Sequence, residues 1–540
     1  MRCVIKDRID EIVGSLWGER VDFNVLPSKD FGDYAVNVAF LLAKKLKRSP
    51  QSIAEEIAKA FPLEGGISKV EALRGYVNIH LSKDALMRVL KEAVESPSGF
   101  ARSGMGRGRR ILVEFVSANP TGPLNVVNAR AAAFGDSLVR MMRHCGFDAC
   151  SEFYVNDGGR QVEMLGLSCE ARWRQLVGES AELPKDGYFG DYVIDFARKL
   201  MDEGVLNGLS FEDRVRVCRE RMVEWVISHQ KEVLERFRVQ FNTWVRESEI
   251  LNRGLVEQTL ELLKERGVIY EREGALWFAS SHFGDDKDRP IVKSNGDYTY
   301  LAPDAAYHRD KFVRGFEHLI DIWGPDHQGY ISRMRAIIEA MGYPPSAFEV
   351  IIVQQVSLTE DGVKIKMSKR AGEFITMEDL LDKVGVDPAR FFFLLRKASS
   401  HLDFDINVAL QQTEDNPVYY VQYAHARMAN IIRVAEERGV EIMPPEEVDA
   451  SVLTAPLELA LLRKIYLFRE FLEDAVLARE PHRIPYYLHE TASLFHNFYQ
   501  EHRVVGSGEY EQARLLLVRG LKTLFAVGLS LIGVSAPERM

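Results

Sequence analysis

The chain has 540 residues, 46% hydrophobic and 27% charged, which excludes a disulfide-stapled module and a disordered or fibrous polymer. At roughly 150 residues per domain the length suggests three to four domains. A net charge of −10 from 69 basic and 79 acidic residues excludes a global basic field for nucleic acid but leaves room for local basic patches.

Five cysteines without a CxxC pair predict neither a zinc site nor a disulfide frame, no dedicated metal site, and a reducing, cytoplasmic setting. The opening MRCVIKDRIDEIV breaks its apolar residues with charges. The longest apolar stretch, near 524–536, falls short of the roughly 18 residues that cross a bilayer, so no membrane association is expected.

In chain order, PQSIAEEIAKAF at 50–61 has helical period, 76–82 reads as a strand, and 84–95 is helical again, predicting a small N-terminal α/β domain over 1–105. The Gly- and Arg-rich run 103–110 could be claimed as a phosphate loop. Such loops follow a strand and open a helix, whereas this run precedes the buried-strand pattern 111–117, so it reads as a linker. A Pro/Gly turn, an amphipathic helix from Val126 to His144 and a strand at 152–157 complete a βαβ unit. Units of this kind build parallel sheets that bind ligands at strand carboxyl ends and helix N-termini, which puts a nucleotide near 125–130.

Charged, helical text over about 165–285 predicts a helical insertion, and strand patterns return at 290–302, 318–323 and 349–356. The fold class expected for 106–405 is therefore α/β, a Rossmann-like parallel sheet with a helical insertion. Residues 406–540 have helical period almost throughout and predict a C-terminal helical bundle. No internal repeat or low-complexity tract is visible.

The most specific short segment is KIKMSKRAGEF, where Lys364, Lys366, Lys369 and Arg370 surround Met367 and Ser368, flanked by Gly362 and Gly372. Four cations on a flexible loop suit a polyphosphate, and a solvated basic turn is the plainer alternative. The string resembles the KMSKS loop of class I aminoacyl-tRNA synthetases, and its KMSKRAG form is similar to that of the arginyl-tRNA synthetases. Further segments carry the same resemblance in order and spacing: FGDYAVNVAFLLAK (31–44), GYVNIHLS (75–82), VSANPTGPL (116–124), FGDYV (189–193), GDYTYLAPDAAYHRDK (296–311), GPDHQGY (324–330), NPVYYVQYAHAR (416–427) and the terminal PERM.

The resemblance implies ligation of L-arginine to tRNA(Arg) through an arginyl-adenylate, with ATP as the energy source and Mg²⁺ entering with the phosphates. It implies a catalytic role for Lys366, Met367, Ser368 and Lys369, with the lysines stabilising departing pyrophosphate. It places Pro120, Thr121, Asn125, Val127, Asn128, Asp326 and His327 about ATP. A monomer is expected.

One turn departs from the family. A His-x-Gly-His motif is replaced by Asn125, Val126, Val127 and Asn128. An asparagine amide donates hydrogen bonds but never becomes cationic, and charge-assisted bonds are roughly twice as strong as neutral ones. Two function classes follow: a working synthetase, or a synthetase-like chain that binds arginine and tRNA(Arg) with impaired activation.

A guanidinium is planar and permanently charged, so a selective pocket needs carboxylates. The positions matching the family are Glu114, Ser117, Asn119, Tyr300, Asp304 and Gln328, with Tyr300 and Asp304 on one face if that stretch is helical. Glu114 as a strand-edge charge and Asp304 as a helix-start residue are the structural alternatives. Tyr76 and Asn78 alternate on one strand face, where a ring can stack on a base and an amide can read its edge; the resemblance implies such a contact with the tRNA, and a half-buried strand has the same pattern. Tyr423 and Arg427, with Tyr419, lie about a turn apart in the bundle, a spacing that serves core packing or anticodon contact equally.

Overall fold

The computed structural model describes residues 1–28, 31–365 and 375–540. The N-terminal unit is a four-stranded antiparallel sheet in which Tyr34–Val36 and Ile67–Leu73 flank Tyr76–Leu81, with Val25–Pro27 at the edge. Its helix Pro50–Ala60 starts where the Ser49 hydroxyl accepts from Ser52 N–H and proline takes the first position, a pre-organised helix start.

The centre of the molecule is a five-stranded parallel sheet: β1 Arg110–Glu114, β2 Asp148–Val155, β3 Thr243–Arg246, β4 His318–Trp323 and β5 Phe348–Ile352, in the order β5-β4-β1-β2-β3. The centre of β1, Ile111–Val113, is apolar on successive residues because both faces of the sheet are packed. The chain runs outward from β1 through β2 to β3, then returns to place β4 beside β1. The crevice beyond the carboxyl ends of β1 and β4 is therefore a topological switch point, where open α/β sheets bind ligands. Helix α1, Val126–His144, starts at this crevice.

Three sequence expectations are corrected. The strand expected to 117 ends at Glu114, because Val116 and Ser117 have φ of 69° and 37° and turn the chain out of the sheet. The stretch expected to be helical holds strands as well as helices: it includes helix α2, Phe211–Arg236, and the helices Glu247–Asn252 and Leu255–Glu265. Beyond α2, Thr243–Arg246 pairs with β2, and Ile269–Arg272, Ala275–Phe278 and Arg289–Val292 form a three-stranded antiparallel sheet. Such strands of four residues gain their stability from pairing partners distant in sequence, which a local charged pattern does not reveal. The strand expected over 290–302 stops at Val292, and Leu301–Val313 is helix α3.

The C-terminal bundle, with Pro417–Glu437, Pro456–Leu477, Arg483–Glu501 and Glu511–Leu531 as its long helices, is joined to the sheet domain through Arg390. This fully buried guanidinium donates to Ile532 O at 2.8 Å, Phe237 O at 2.8 Å and the Asp136 carboxylate on α1.

Candidate active site

The loop leaving β1 is held by the insertion. Asn119 donates its amide to Gln161 at 2.7 Å, Tyr192 donates to Thr121 O at 2.7 Å, and buried Gln230 donates to Gly122 O at 3.0 Å. A Cβ on Gly122 would lie 3.0 Å from the Tyr192 hydroxyl, so glycine permits this close approach. Pro120 is buried, Ser117 and Thr121 are half-buried, and Asn119 is exposed.

At the start of α1 the two asparagines cap the helix reciprocally. Asn125 Oδ1 accepts from Val127 N–H and Asn128 N–H, each at 3.0 Å, and Asn128 Oδ1 accepts from Asn125 N–H at 3.0 Å. This is a capping box, and it satisfies helix-end donors that otherwise lack partners. Val126 is buried and Val127 half-buried. Met377 N–H donates to Leu124 O at 2.8 Å and Asn125 bridges Thr376, which ties the turn to the chain just beyond 366–374. Lys366, Met367, Ser368 and Lys369 lie outside the described residues.

Beneath the loop is a buried charge network. Lys311 on α3 donates to Glu114 Oε2 at 2.5 Å and to Asp321 Oδ1 at 3.1 Å, while Ser117 Oγ donates to Glu114 Oε1 at 2.8 Å. His308 Nε2 lies 2.8 Å from Asp321 Oδ2, and its Nδ1 lies 2.8 Å from Asp304 O. Burial pushes the Glu114 carboxyl up despite Lys311. At Asp321 burial acts the same way, but Lys311 and His308 outweigh it and hold the carboxyl at about 2. Glu114, His308 and Asp321 are close enough together to hold a metal ion. The Lys311 ammonium already supplies the cation those two carboxylates need.

Asp304 is half-buried near the start of α3 and accepts from the Tyr330 hydroxyl at 2.7 Å. Burial raises its carboxyl to about 6; Tyr330 and His308 oppose the rise, and Glu247 and Glu114 add to it. Glu247 accepts from the Tyr154 hydroxyl at 2.8 Å, and burial pushes its carboxyl up, with Asp157 adding to the rise. Among the described residues neither Asp304 nor Glu247 has a Lys or Arg ion pair. The site thus gathers two carboxylates, Asp304 and Glu247, that no lysine or arginine among the described residues neutralises.

The other expected residues lie around this floor. Tyr300 is 79% exposed just ahead of α3, joined to Asp304 through the backbone bond from Asp304 N–H to its carbonyl at 3.3 Å. Asp326, His327 and Gln328 are exposed on the 3-10 turn Pro325–Tyr330, with the His327 ring 6.2 Å from Trp323. In the N-terminal unit Tyr76 is 42% exposed with its ring edge-on to Phe40 at 4.9 Å, whereas Asn78 is covered. The open face expected to carry both is reduced to Tyr76. In the bundle Arg427 lies over the rings of Tyr423 at 4.5 Å and Tyr499 at 4.9 Å, and Tyr419 stacks on Tyr423 at 6.0 Å.

Lys311, Tyr330, Glu247 and Tyr154 escape the sequence reading. Lys311 and Tyr330 fall at the ends of GDYTYLAPDAAYHRDK and GPDHQGY, whose earlier residues draw attention first. The asparagine capping box was readable from the Asn-x-x-Asn spacing.

Residues 98–392 match the family model for the catalytic domain of class I (R) tRNA synthetases, residues 1–81 that for the arginyl tRNA synthetase N-terminal domain, and residues 421–540 that for the DALR anticodon binding domain. The chain is 44% identical to arginine--tRNA ligase 1 of Halalkalibacterium halodurans over 521 residues, 95% of this chain and 93% of that protein. It is likewise 44% identical to arginine--tRNA ligase of Desulforudis audaxviator over 519 residues, covering 95% and 92%. The arginyl-tRNA synthetase structure of Thermus thermophilus superposes with a TM-score of 0.78 at 24% identity over 100% of both chains, a likeness of fold. With one domain model spanning over half its length and relatives at this identity along nearly all of it, the chain belongs to the arginyl-tRNA synthetase family.

Proposed function

We propose that the chain ligates L-arginine to tRNA(Arg) in two steps at the crevice between β1 and β4. The arginine carboxylate attacks the α-phosphate of ATP and pyrophosphate leaves; a terminal ribose hydroxyl of the tRNA then attacks the adenylate carbonyl and AMP leaves. No protein nucleophile is required, so catalysis comes from positioning and charge. The observation that carries this reading is the set of carboxylates on the floor of the crevice, of which Asp304 and Glu247 have no basic ion-pair partner among the described residues.

In this assignment Asp304 and Glu247 face the guanidinium, Tyr300 and Gln328 close over the substrate, and Glu114 with Ser117 and Asn119 holds its ammonium end. Pro120, Thr121, Asn125, Val127, Asn128, Asp326 and His327 surround ATP. Lys366 and Lys369, with Met367 and Ser368 between them, stabilise departing pyrophosphate. Mg²⁺ would enter with ATP and neutralise phosphate charge, and Lys311 already fills the cation position among Glu114, His308 and Asp321.

Tyr76 and Asn78 serve the tRNA from a domain spanning 1–105, and Tyr423 and Arg427 from a bundle spanning 406–540, with catalysis in 106–405. The chain acts as a cytoplasmic monomer. Among the described residues no helix is long and apolar enough to cross a membrane. The impaired alternative finds no support in relatives that carry ligase names along nearly the whole chain. Charging of a tRNA(Arg) transcript with each standard amino acid in turn tests the assignment. Arginine alone should be attached, and lysine attached at a comparable rate would contradict a pocket built for a planar cation.

A further inference from the structure

Two tyrosine–carboxylate pairs stand out in the crevice. Tyr330 donates to Asp304 Oδ2 at 2.7 Å, and Tyr154 donates to Glu247 Oε2 at 2.8 Å. The four residues come from four separate elements: the turn after β4, helix α3, strand β2 and the helix Glu247–Asn252 after β3. A tyrosine hydroxyl is a neutral donor. It satisfies one carboxylate oxygen without supplying the charge that a lysine or arginine would. The contrast lies next door, where Glu114 is held by the Lys311 ammonium.

We propose that Tyr330 and Tyr154 are specificity-setting positioning residues for arginine: they hold Asp304 and Glu247 as two anions that only a substrate with a delocalised cation completes. This rests on the reading of Asp304 and Glu247 as the guanidinium partners. The tyrosines do two things in this arrangement. Each occupies one oxygen of its carboxylate and so fixes which oxygen is left for the guanidinium fork. Each also favours the ionised carboxylate, since a hydrogen bond given to the charged form stabilises it. Both rings are themselves held: Tyr154 packs on Tyr307 at 4.5 Å, and the Arg333 guanidinium lies 4.8 Å over Tyr330.

The ionised state needs this help. The groups facing Asp304 are Tyr330, His308, Glu247 and Glu114, and the two carboxylates among them join burial in favouring its protonated form, with the carboxyl at about 6. Arginine binds the ionised form, so its affinity should be level above that value and weaken as pH falls through it. In Tyr330→Phe the donor that opposes the rise is gone, and the break in the profile moves to higher pH by about one unit, the scale of one hydrogen bond to a charged group.

The test is equilibrium binding of arginine to the full chain between pH 5.5 and 9, for wild type, Tyr330→Phe, Tyr154→Phe and Asp304→Ala, with the neutral ureido isostere citrulline as second ligand. Tyr330→Phe is expected to weaken arginine by about fivefold at pH 6 and by less than about twofold at pH 9, and to reduce the preference for arginine over citrulline at pH 6. Tyr154→Phe should act in the same direction through Glu247. A loss in Tyr330→Phe that is equal at all pH values, or no loss at any, overturns the proposal. Asp304→Ala separates the two claims. If it leaves arginine binding intact, the pocket assignment itself fails; if it weakens binding while both phenylalanine variants keep the wild-type profile, only the role of the tyrosines fails.

Discussion

The two halves of the crevice are built differently. On the proposed arginine side, Glu114, Asp304, Glu247 and Asp321 each have a side-chain partner from a distant element, so their positions are set by the fold itself. On the proposed nucleotide side, Asn125 and Asn128 turn their carbonyl oxygens back onto the N–H donors of their own helix end, which leaves their side-chain amide groups to meet a phosphate. In the proposed assignment, selectivity for the amino acid is therefore pre-organised in the protein, and the lysines of 364–370 supply the charge that meets ATP. A pre-organised donor or acceptor costs no reorganisation during reaction, which explains why the floor of the site is so heavily cross-linked.

Breaking the lysine contribution should have the largest effect. Lys366→Ala and Lys369→Ala are each expected to slow adenylate formation by about 10²- to 10³-fold while arginine affinity moves far less, as read by single-turnover kinetics and equilibrium binding. Equal losses in both quantities would move these residues from catalysis to structure. Asp304→Ala should follow, raising the Kd for arginine by about 30-fold or more, the cost of truncating one partner of a desolvated charge pair. A change under about threefold would remove Asp304 from the pocket.

A third substitution tests what holds both halves in place. Arg390→Ala leaves Asp136 on α1 with Arg140 as its one guanidinium partner and strands two carbonyls, so unfolding free energy should fall by about 2 to 4 kcal/mol in denaturant titration. The smallest effect is expected at the cap. Asn125→Ala should cost about 1 kcal/mol of stability and slow activation less than either lysine change.

Much of this architecture is legible in the residues. The apolar run at 111–113, the helix from Val126 and the helical C-terminal quarter follow from periodicity, and the motif strings carry the family. What escapes are features made by distance. Lys311 is one charge among many on a helix until folding sets it between Glu114 and Asp321, residues 197 and 10 positions away. Arg390 carries no motif or spacing that marks it, and it is fully buried. Thr243–Arg246 is a strand because β2 pairs with it, and nothing within four residues announces that partner. Asn78 alternates with Tyr76 as expected, yet only one of them is open, because alternation fixes a side of the sheet and not what covers it.

The central claim is that a crevice whose nucleotide turn reads Asn-Val-Val-Asn supports arginine activation. The most direct measurement is the rate of arginyl-tRNA formation by the purified chain with that turn unaltered, ATP, Mg²⁺, arginine and tRNA(Arg) being saturating. The account predicts turnover within the ordinary enzymic range of about 1 to 10³ s⁻¹. Tight binding of arginine and tRNA(Arg) with no charging, restored by Asn125→His, Val127→Gly and Asn128→His together, would contradict it.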